Sequence, residues 1–363
     1  MSVFICVNPR SIWRNAFVKA LAAGQPGQVE WIELEEPVAG PGEVILRPLA
    51  CSICTTDVKL VRAGYTDGPR YALGHELVGE VVTVGEGARW RVGDRVVAAP
   101  YVPCGACYYC LRDQPTLCPH LFENGLTPGA LAERVRIPRP LAERGLFPVP
   151  DGVPNEVAAL SEPLGCCVQG VDACRVTAGD AVLVIGDGPM GLLCAAVVRA
   201  YGAQPVIVAG LTPPRLAVAA AHYADVVINP AEENLQAVIA DLTGGRGADA
   251  VLVAVSSAEA VQSGLDALRP GGVLNAFAGV PEGTTVPLDL RQLHYQQLVL
   301  TGTFGVGPAH VARALQMLSS GQVDAGPLIT ARFPFARAAD ALDYAARRVG
   351  LKAVVLFGEA GRQ

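Results

Sequence analysis

The 363-residue sequence is poor in charge and in aromatic residues: Asp, Glu, Lys and Arg make up 17%, and Phe, Trp and Tyr 6%. It has no basic excess. With 28 basic and 34 acidic side chains the formal net charge is −6, which excludes a partner such as nucleic acid that needs a basic face to neutralise phosphates. No apolar run approaches the roughly 18 residues of a membrane-spanning helix, so no membrane partner is expected. Residues Met1–Arg10 offer neither a basic stretch nor an apolar segment long enough for a signal peptide, and a cytoplasmic protein is expected. Internal repeats and low-complexity segments are also absent. Apolar residues are plentiful at 51%, which rules out wholesale disorder, and the length suits about two domains of roughly 150 residues.

Cysteine is abundant. Eleven residues, four of them packed into 104–118, make an odd and clustered set that does not suit a disulfide framework. In a reducing compartment such clusters more often bind metal or serve catalysis.

Residues 1–16 read as an irregular extension. From residue 17 to about 139, short apolar strands such as Val44–Leu46, Glu80–Val84 and Arg95–Ala98 are broken by Gly and Pro, the texture of an irregular β domain. Asn155–Ala173 reads as a helix. A regular alternation then predicts strands at Ala181–Ile185, Pro205–Ala209, Val226–Asn229, Asp249–Val255, Gly272–Phe277 and Leu298–Thr303. Helices are predicted between several of them, at Gly191–Tyr201, Pro214–Tyr223, Glu233–Leu242 and Ala258–Leu268. That pattern predicts a doubly wound parallel sheet. Helices at Ala309–Ser319 and Arg337–Arg348 and a strand at Ala353–Phe357 follow, a tail expected to pack back on the first domain.

Cys104, Cys107, Cys110 and Cys118 have the spacing of a closed four-thiolate zinc site, structural because no position stays open for a substrate. Unliganded thiols and an iron–sulfur cluster are rivals; the long last gap and the lack of a second set of four cysteines count against the cluster. Cys54, His75 and a carboxylate from Glu76 or Glu162 make a different group, three ligands with a fourth position open. Two directly bound carboxylates beside a thiolate would leave the site anionic and weaken its Lewis acidity. One of Glu76 and Glu162 is therefore expected to bind directly at a time. Asp57 reads either as a partner orienting a ligating His or as a loop cap.

The strand Ala181–Ile185 runs into Gly186-Asp187-Gly188-Pro189-Met190-Gly191 and an Ala-rich helix, the strand–turn–helix setting in which G-x-G-x-x-G cradles a dinucleotide pyrophosphate. At the end of the second strand Gly210 stands where an acidic residue would clamp the ribose 2′-hydroxyl. Arg215, five residues on, either faces a 2′-phosphate or is an ordinary solvated helix residue, so NAD and NADP both stay open.

These motifs together resemble the zinc-containing medium-chain dehydrogenases, in their sorbitol (iditol) and threonine dehydrogenase branch. Cys-Thr-Thr-Asp at 54–57, Gly-His-Glu at 74–76, the four-Cys lobe, Glu-Pro-Leu at 162–164 and the glycine turn carry the resemblance, over roughly residues 17–358. The resemblance implies a GroES-like β catalytic domain (17–160 and 306–363, with a structural zinc lobe at 100–120) and an inserted Rossmann domain at 161–305. It also implies two zinc ions per chain, NAD or NADP, and a homodimer or homotetramer.

By the same likeness Cys54, His75 and Glu76 match catalytic zinc ligands, Glu162 the nearby carboxylate, and Thr56 a hydroxyl in a proton relay. Ala278, Gly279, Val280, Thr303 and Phe304 match segments flanking the nicotinamide. Arg215 matches a position near the adenosine ribose in NAD enzymes too. The chain departs from the family at Lys59, where the relay usually ends in His. A lysine with its unperturbed pKa near 10.4 would need a large depression to accept that proton. The expected reaction is hydride transfer between a secondary alcohol (a polyol, sugar alcohol or cyclitol) and NAD(P). The alternatives are L-threonine 3-dehydrogenase and a non-catalytic zinc and nucleotide binder.

Overall fold

The computed structural model describes residues 17–64 and 72–358; the extension expected at 1–16 lies outside them. Strands β1 (Phe17–Ala23) and β2 (Val29–Glu35) form an antiparallel hairpin. The first lobe continues with β3 (Val44–Ser52), α1 (Thr55–Ala63), β4 (Glu76–Val84), β5 (Arg95–Ala98), β6 (Val135–Ile137), α2 (Arg139–Arg144) and β7 (Leu146–Pro148). Two helices, α3 (Asn155–Ala158) and α4 (Ser161–Ala173), lead into an alternating region. It runs β8 (Val182–Ile185), α5 (Pro189–Ala200), β9 (Val206–Ala209), α6 (Pro213–His222), β10 (Val226–Ile228), α7 (Leu235–Thr243), β11 (Ala248–Val253), α8 (Ala258–Asp266), β12 (Leu268–Ala276), α9 (Leu290–Gln296) and β13 (Val299–Gly302). The chain then adds α10 (Pro308–Ser319), β14 (Ile329–Pro334), α11 (Ala338–Ala346) and β15 (Lys352–Leu356).

The six strands β8–β13 are parallel, in the order β10-β9-β8-β11-β12-β13. The order reverses beside β8, and ligands of doubly wound sheets sit at the carboxyl ends of the strands at that point. Near-continuous apolar runs such as Val182-Leu183-Val184-Ile185 are buried along their whole length, as a sheet covered by helices on both faces requires. The second sheet has the order β14-β15-β3-β4-β5-β7, with β6 paired to β3. Its strands β14 and β15 come from the C-terminal tail, so the tail completes the first lobe's sheet as expected. One apolar core runs through this sheet, α4, α5 and α10 and joins the two lobes.

Two local expectations change. The single helix at 155–173 is two helices. Pro163 has no N–H to donate to the carbonyl of Ala159, and its ring would clash there, so the helix restarts with Pro163 in its first turn. The segment after β3, for which no helix is expected above, is α1, with Cys54 at its N-cap and the Asp57 carboxylate accepting the Cys54 N–H at 3.0 Å.

Candidate metal and nucleotide sites

Among the described residues, two groups of donors gather within 4.8 Å: Cys104, Cys107, Cys110 and Cys118, and Cys54, His75 and Glu76. In the first, Cys107 and Cys110 sulfurs lie 3.5 Å apart and Cys104 and Cys110 sulfurs 3.9 Å apart. A zinc tetrahedron with bonds of about 2.3 Å has edges of roughly 3.8 Å, so the four sulfurs fit one ion. Backbone N–H groups of Ala106 and Cys107 hold the Cys104 thiol down to about 6, which favours the thiolate a metal needs. All four sulfurs serve that one position, so the lobe leaves no opening for substrate.

The second group forms where β3 and β4 pair. Ser52 stands opposite Glu76 in the register, so the residue that begins α1 and the one that precedes β4 meet at one end of the sheet. Asp57 is buried in α1. It accepts N–H bonds from Cys54 and from Gly74 (2.9 Å), and its Oδ1 lies 3.5 Å from His75 Nδ1, leaving the other ring nitrogen for a metal. Burial would lower the His75 pKa, but Asp57 and Cys54 outweigh it and hold the ring well above its ordinary value. Both readings of Asp57, cap and histidine partner, describe its contacts.

Glu76 is fully buried, and Lys352 Nζ donates to both its oxygens, at 2.8 and 2.6 Å, and to the Ile53 carbonyl at 3.1 Å. Glu162 lies at the start of α4, outside the 4.8 Å group. Burial pushes its carboxyl up to about 7; the attraction of His75 opposes this and the charge of Glu76 reinforces it. The Cys166 thiol donates to Glu162 at 3.7 Å. Thr56 and Lys59 are both exposed, three positions apart on α1.

The glycine turn leads from β8 into α5. Gly186 has φ +131°, and a Cβ on Gly191 would lie 1.9 Å from the Gly186 carbonyl oxygen, while nothing crowds Gly188. Gly188, Pro189 and Met190 open α5 and are partly exposed, so an anion can reach the free N–H groups of the helix end. Gly210 follows β9, Ala278–Val280 follow β12, and Thr303 and Phe304 follow β13. All therefore lie on the same carboxyl edge of the parallel sheet. Thr303 Oγ1 accepts from the buried Asn275, whose amide also donates to Gly170 of α4. Phe304 is exposed and stands edge-on to Phe122 beside the four-cysteine lobe, with ring centroids 6.4 Å apart. Arg215 donates to the carbonyls of Arg348 and Gly350 at 2.7 and 2.8 Å.

Sequence reading missed Lys352 and Asn275. A lysine heading the apolar run Lys-Ala-Val-Val-Leu was the one available signal, because a buried ammonium needs a carboxylate partner.

The donor sets and the glycine turn suit zinc and a dinucleotide, and relatives agree. Residues 40–151 match the alcohol dehydrogenase GroES-like domain and residues 189–320 the zinc-binding dehydrogenase family. The L-threonine 3-dehydrogenase of Pyrococcus horikoshii is 34% identical over 86% of this chain and 91% of its own length. The erythritol/L-threitol dehydrogenase of Mycolicibacterium smegmatis is 33% identical over 91% of this chain and 94% of its own. The alcohol dehydrogenase TADH of Thermus sp. ATN1 superposes with a TM-score of 0.85 at 27% identity, covering 94% of this chain and all of that one. The chain therefore belongs to the zinc-containing medium-chain dehydrogenases, in their sorbitol and threonine dehydrogenase-like branch, enzymes that work with zinc and NAD(P).

Proposed function

We propose that the chain oxidises a secondary alcohol of the polyol, sugar-alcohol or cyclitol kind, passing hydride to NAD(P), in the cytoplasm and as a homodimer or homotetramer. The observation that carries the reading is the trio Cys54, His75 and Glu76. One thiolate, one imidazole and one carboxylate leave a tetrahedral ion a position for substrate. Zinc bound there supplies Lewis acidity that lowers a hydroxyl's pKa, and the nicotinamide supplies the hydride acceptor.

The chain's own residues do the rest. Asp57 fixes the His75 ring. Glu162, poised near neutrality, reaches the metal position through water or by exchange with Glu76. The Thr56 hydroxyl takes the substrate's proton toward solvent, with Lys59 the nearest basic group further along α1. Gly186, Gly188, Pro189, Met190 and Gly191 cradle the pyrophosphate. Ala278, Gly279, Val280, Thr303 and Phe304 flank the nicotinamide, and Gly210 and Arg215 border the adenosine. Cys104, Cys107, Cys110 and Cys118 would hold a zinc ion that keeps the lobe near Phe304 in shape. Assembly is supported by β13, an edge strand that exposes Val299 and Leu300.

The test is a panel of sugar alcohols, cyclitols and L-threonine with NAD and NADP, followed by nicotinamide absorbance. Turnover of polyols supports the proposal. Turnover of L-threonine alone favours the second reading, which the Pyrococcus relative supports. Tight binding of reduced nicotinamide with no turnover leaves a zinc and nucleotide binder.

A further inference from the structure

We propose that Asp187, inside the glycine turn, supplies the carboxylate that selects NAD over NADP, an inference that rests on the nucleotide-site reading above. In doubly wound dinucleotide sites an acidic residue at the end of the second strand accepts the ribose 2′-hydroxyl. That strand is β9, and it ends in Gly210. The space is not empty: a Cβ built on Gly210 would lie 2.5 Å from Asp187 Cβ and 2.6 Å from its Cγ and Oδ2. Asp187 thus fills the volume that a side chain at 210 would take. The two positions are mutually exclusive, and the carboxylate has moved from the strand end to the turn.

Its orientation is fixed. The Thr212 N–H donates to Oδ2 at 2.6 Å, and Oδ1 has no protein donor among the described residues. With 8% of the residue exposed, little water screens the charge. A 2′-hydroxyl can donate to Oδ1, whereas a 2′-phosphate brings a charge of about −1.5 to −2 against it. Arg215, the cation that the sequence places five residues beyond Gly210, turns its Nη2 away to the carbonyls of Arg348 and Gly350.

The test uses the zinc-loaded protein and nicotinamide-free probes, ADP-ribose and its 2′-phosphate, titrated calorimetrically, so the readout is independent of turnover. Asp187→Asn keeps an acceptor for the Thr212 N–H but removes the charge. Asp187→Gly with Gly210→Asp removes the Cβ that a side chain at 210 would strike and returns the carboxylate to the strand end. The native protein is expected to prefer ADP-ribose by at least about tenfold, the size of one hydrogen bond to a charged acceptor. Asp187→Asn should narrow that ratio by about tenfold or more, and the double variant should restore it. An unchanged ratio in Asp187→Asn, or a native preference for the 2′-phosphate, overturns the proposal, and Asp187→Asn decides alone if the double variant does not fold. Failure of the native protein to bind either probe sinks the nucleotide-site reading as well. Binding of both with an unmoved ratio sinks only the role of Asp187.

Discussion

Glu76 has two claims on its carboxylate, the metal position it shares with Cys54 and His75 and the ammonium of Lys352. Lys352 is itself buried, so each member of the pair neutralises a charge the interior could not hold alone. Lys352→Met should therefore destabilise the metal-free protein by about 3–5 kcal/mol, because it leaves an unpaired buried carboxylate. Zinc should recover more of that loss in the variant than it adds to the native protein, since Glu76 is then free to bind the ion fully. Urea unfolding of both proteins with and without zinc measures this; an equal zinc effect in the two counts against shared use of Glu76.

The His75 ring carries the second residue-scale expectation. Asp57 and Cys54 raise its pKa, so in the metal-free protein a proton occupies the ring until the pH exceeds that raised value. Zinc must displace it, so zinc affinity should fall as pH is lowered through the raised pKa, with proton release on binding. Asp57→Asn removes the charge that holds the proton and orients the ring. It should weaken zinc binding by about 10–100-fold and flatten its pH dependence, as competition with a chromogenic chelator would report. The types and spacing of these donors were legible in the sequence, but Lys352 was not. It lies 276 residues from Glu76 and reaches it only because β15 pairs with β3 beside β4.

Among the elements, the β/α half was the readable part. Inner strands such as β8 and β9 are buried along their length and α5 to α8 carry apolar faces, so apolar runs and helical periodicity located these elements to within a few residues, while α9, seven residues without an alanine, was not read. The β lobe was harder. β6 and β7 have three residues each, too few to set up a period. α1 begins Thr-Thr, residues that favour extended backbone, and its start is fixed instead by the Asp57 side chain bonding back to Cys54. The turn from β8 into α5 shows how tightly one element junction is specified. With a Cβ on residue 191 only 1.9 Å from the Gly186 oxygen, Gly191→Ala must push α5 off the sheet. Overpacking of this kind costs about 1–3 kcal/mol. The expected result is a melting temperature lower by several degrees and ADP-ribose affinity down at least about tenfold. Retention of both would mean that α5 does not pack on the turn as described.

For the molecule as a whole, the open question is how the six-stranded sheet ends. Its two edges are β10 and β13, and β13 carries Val299 and Leu300, each about 40% exposed; the preceding helix α9 also exposes Leu290 and Tyr295. An unguarded edge strand with apolar side chains invites pairing, and natural monomers usually blunt such edges with charge or proline. Here there is neither in Val299–Gly302. A second copy related by a two-fold axis would lay its own β13 antiparallel to this one, a self-complementary contact that closes and leaves no further edge on that side. No periodicity in the sequence marks this, because an edge strand and an inner strand of a parallel sheet both read as short apolar runs. Sedimentation velocity should therefore find a dimer or a larger even assembly at micromolar concentration. Leu300→Lys should shift it to a monomer of 37.7 kDa while the zinc content stays unchanged, because the donor groups lie on β4, α1 and the four-cysteine lobe, not on β13. A native monomer, or a Leu300→Lys protein that keeps its mass, would remove β13 as the contact.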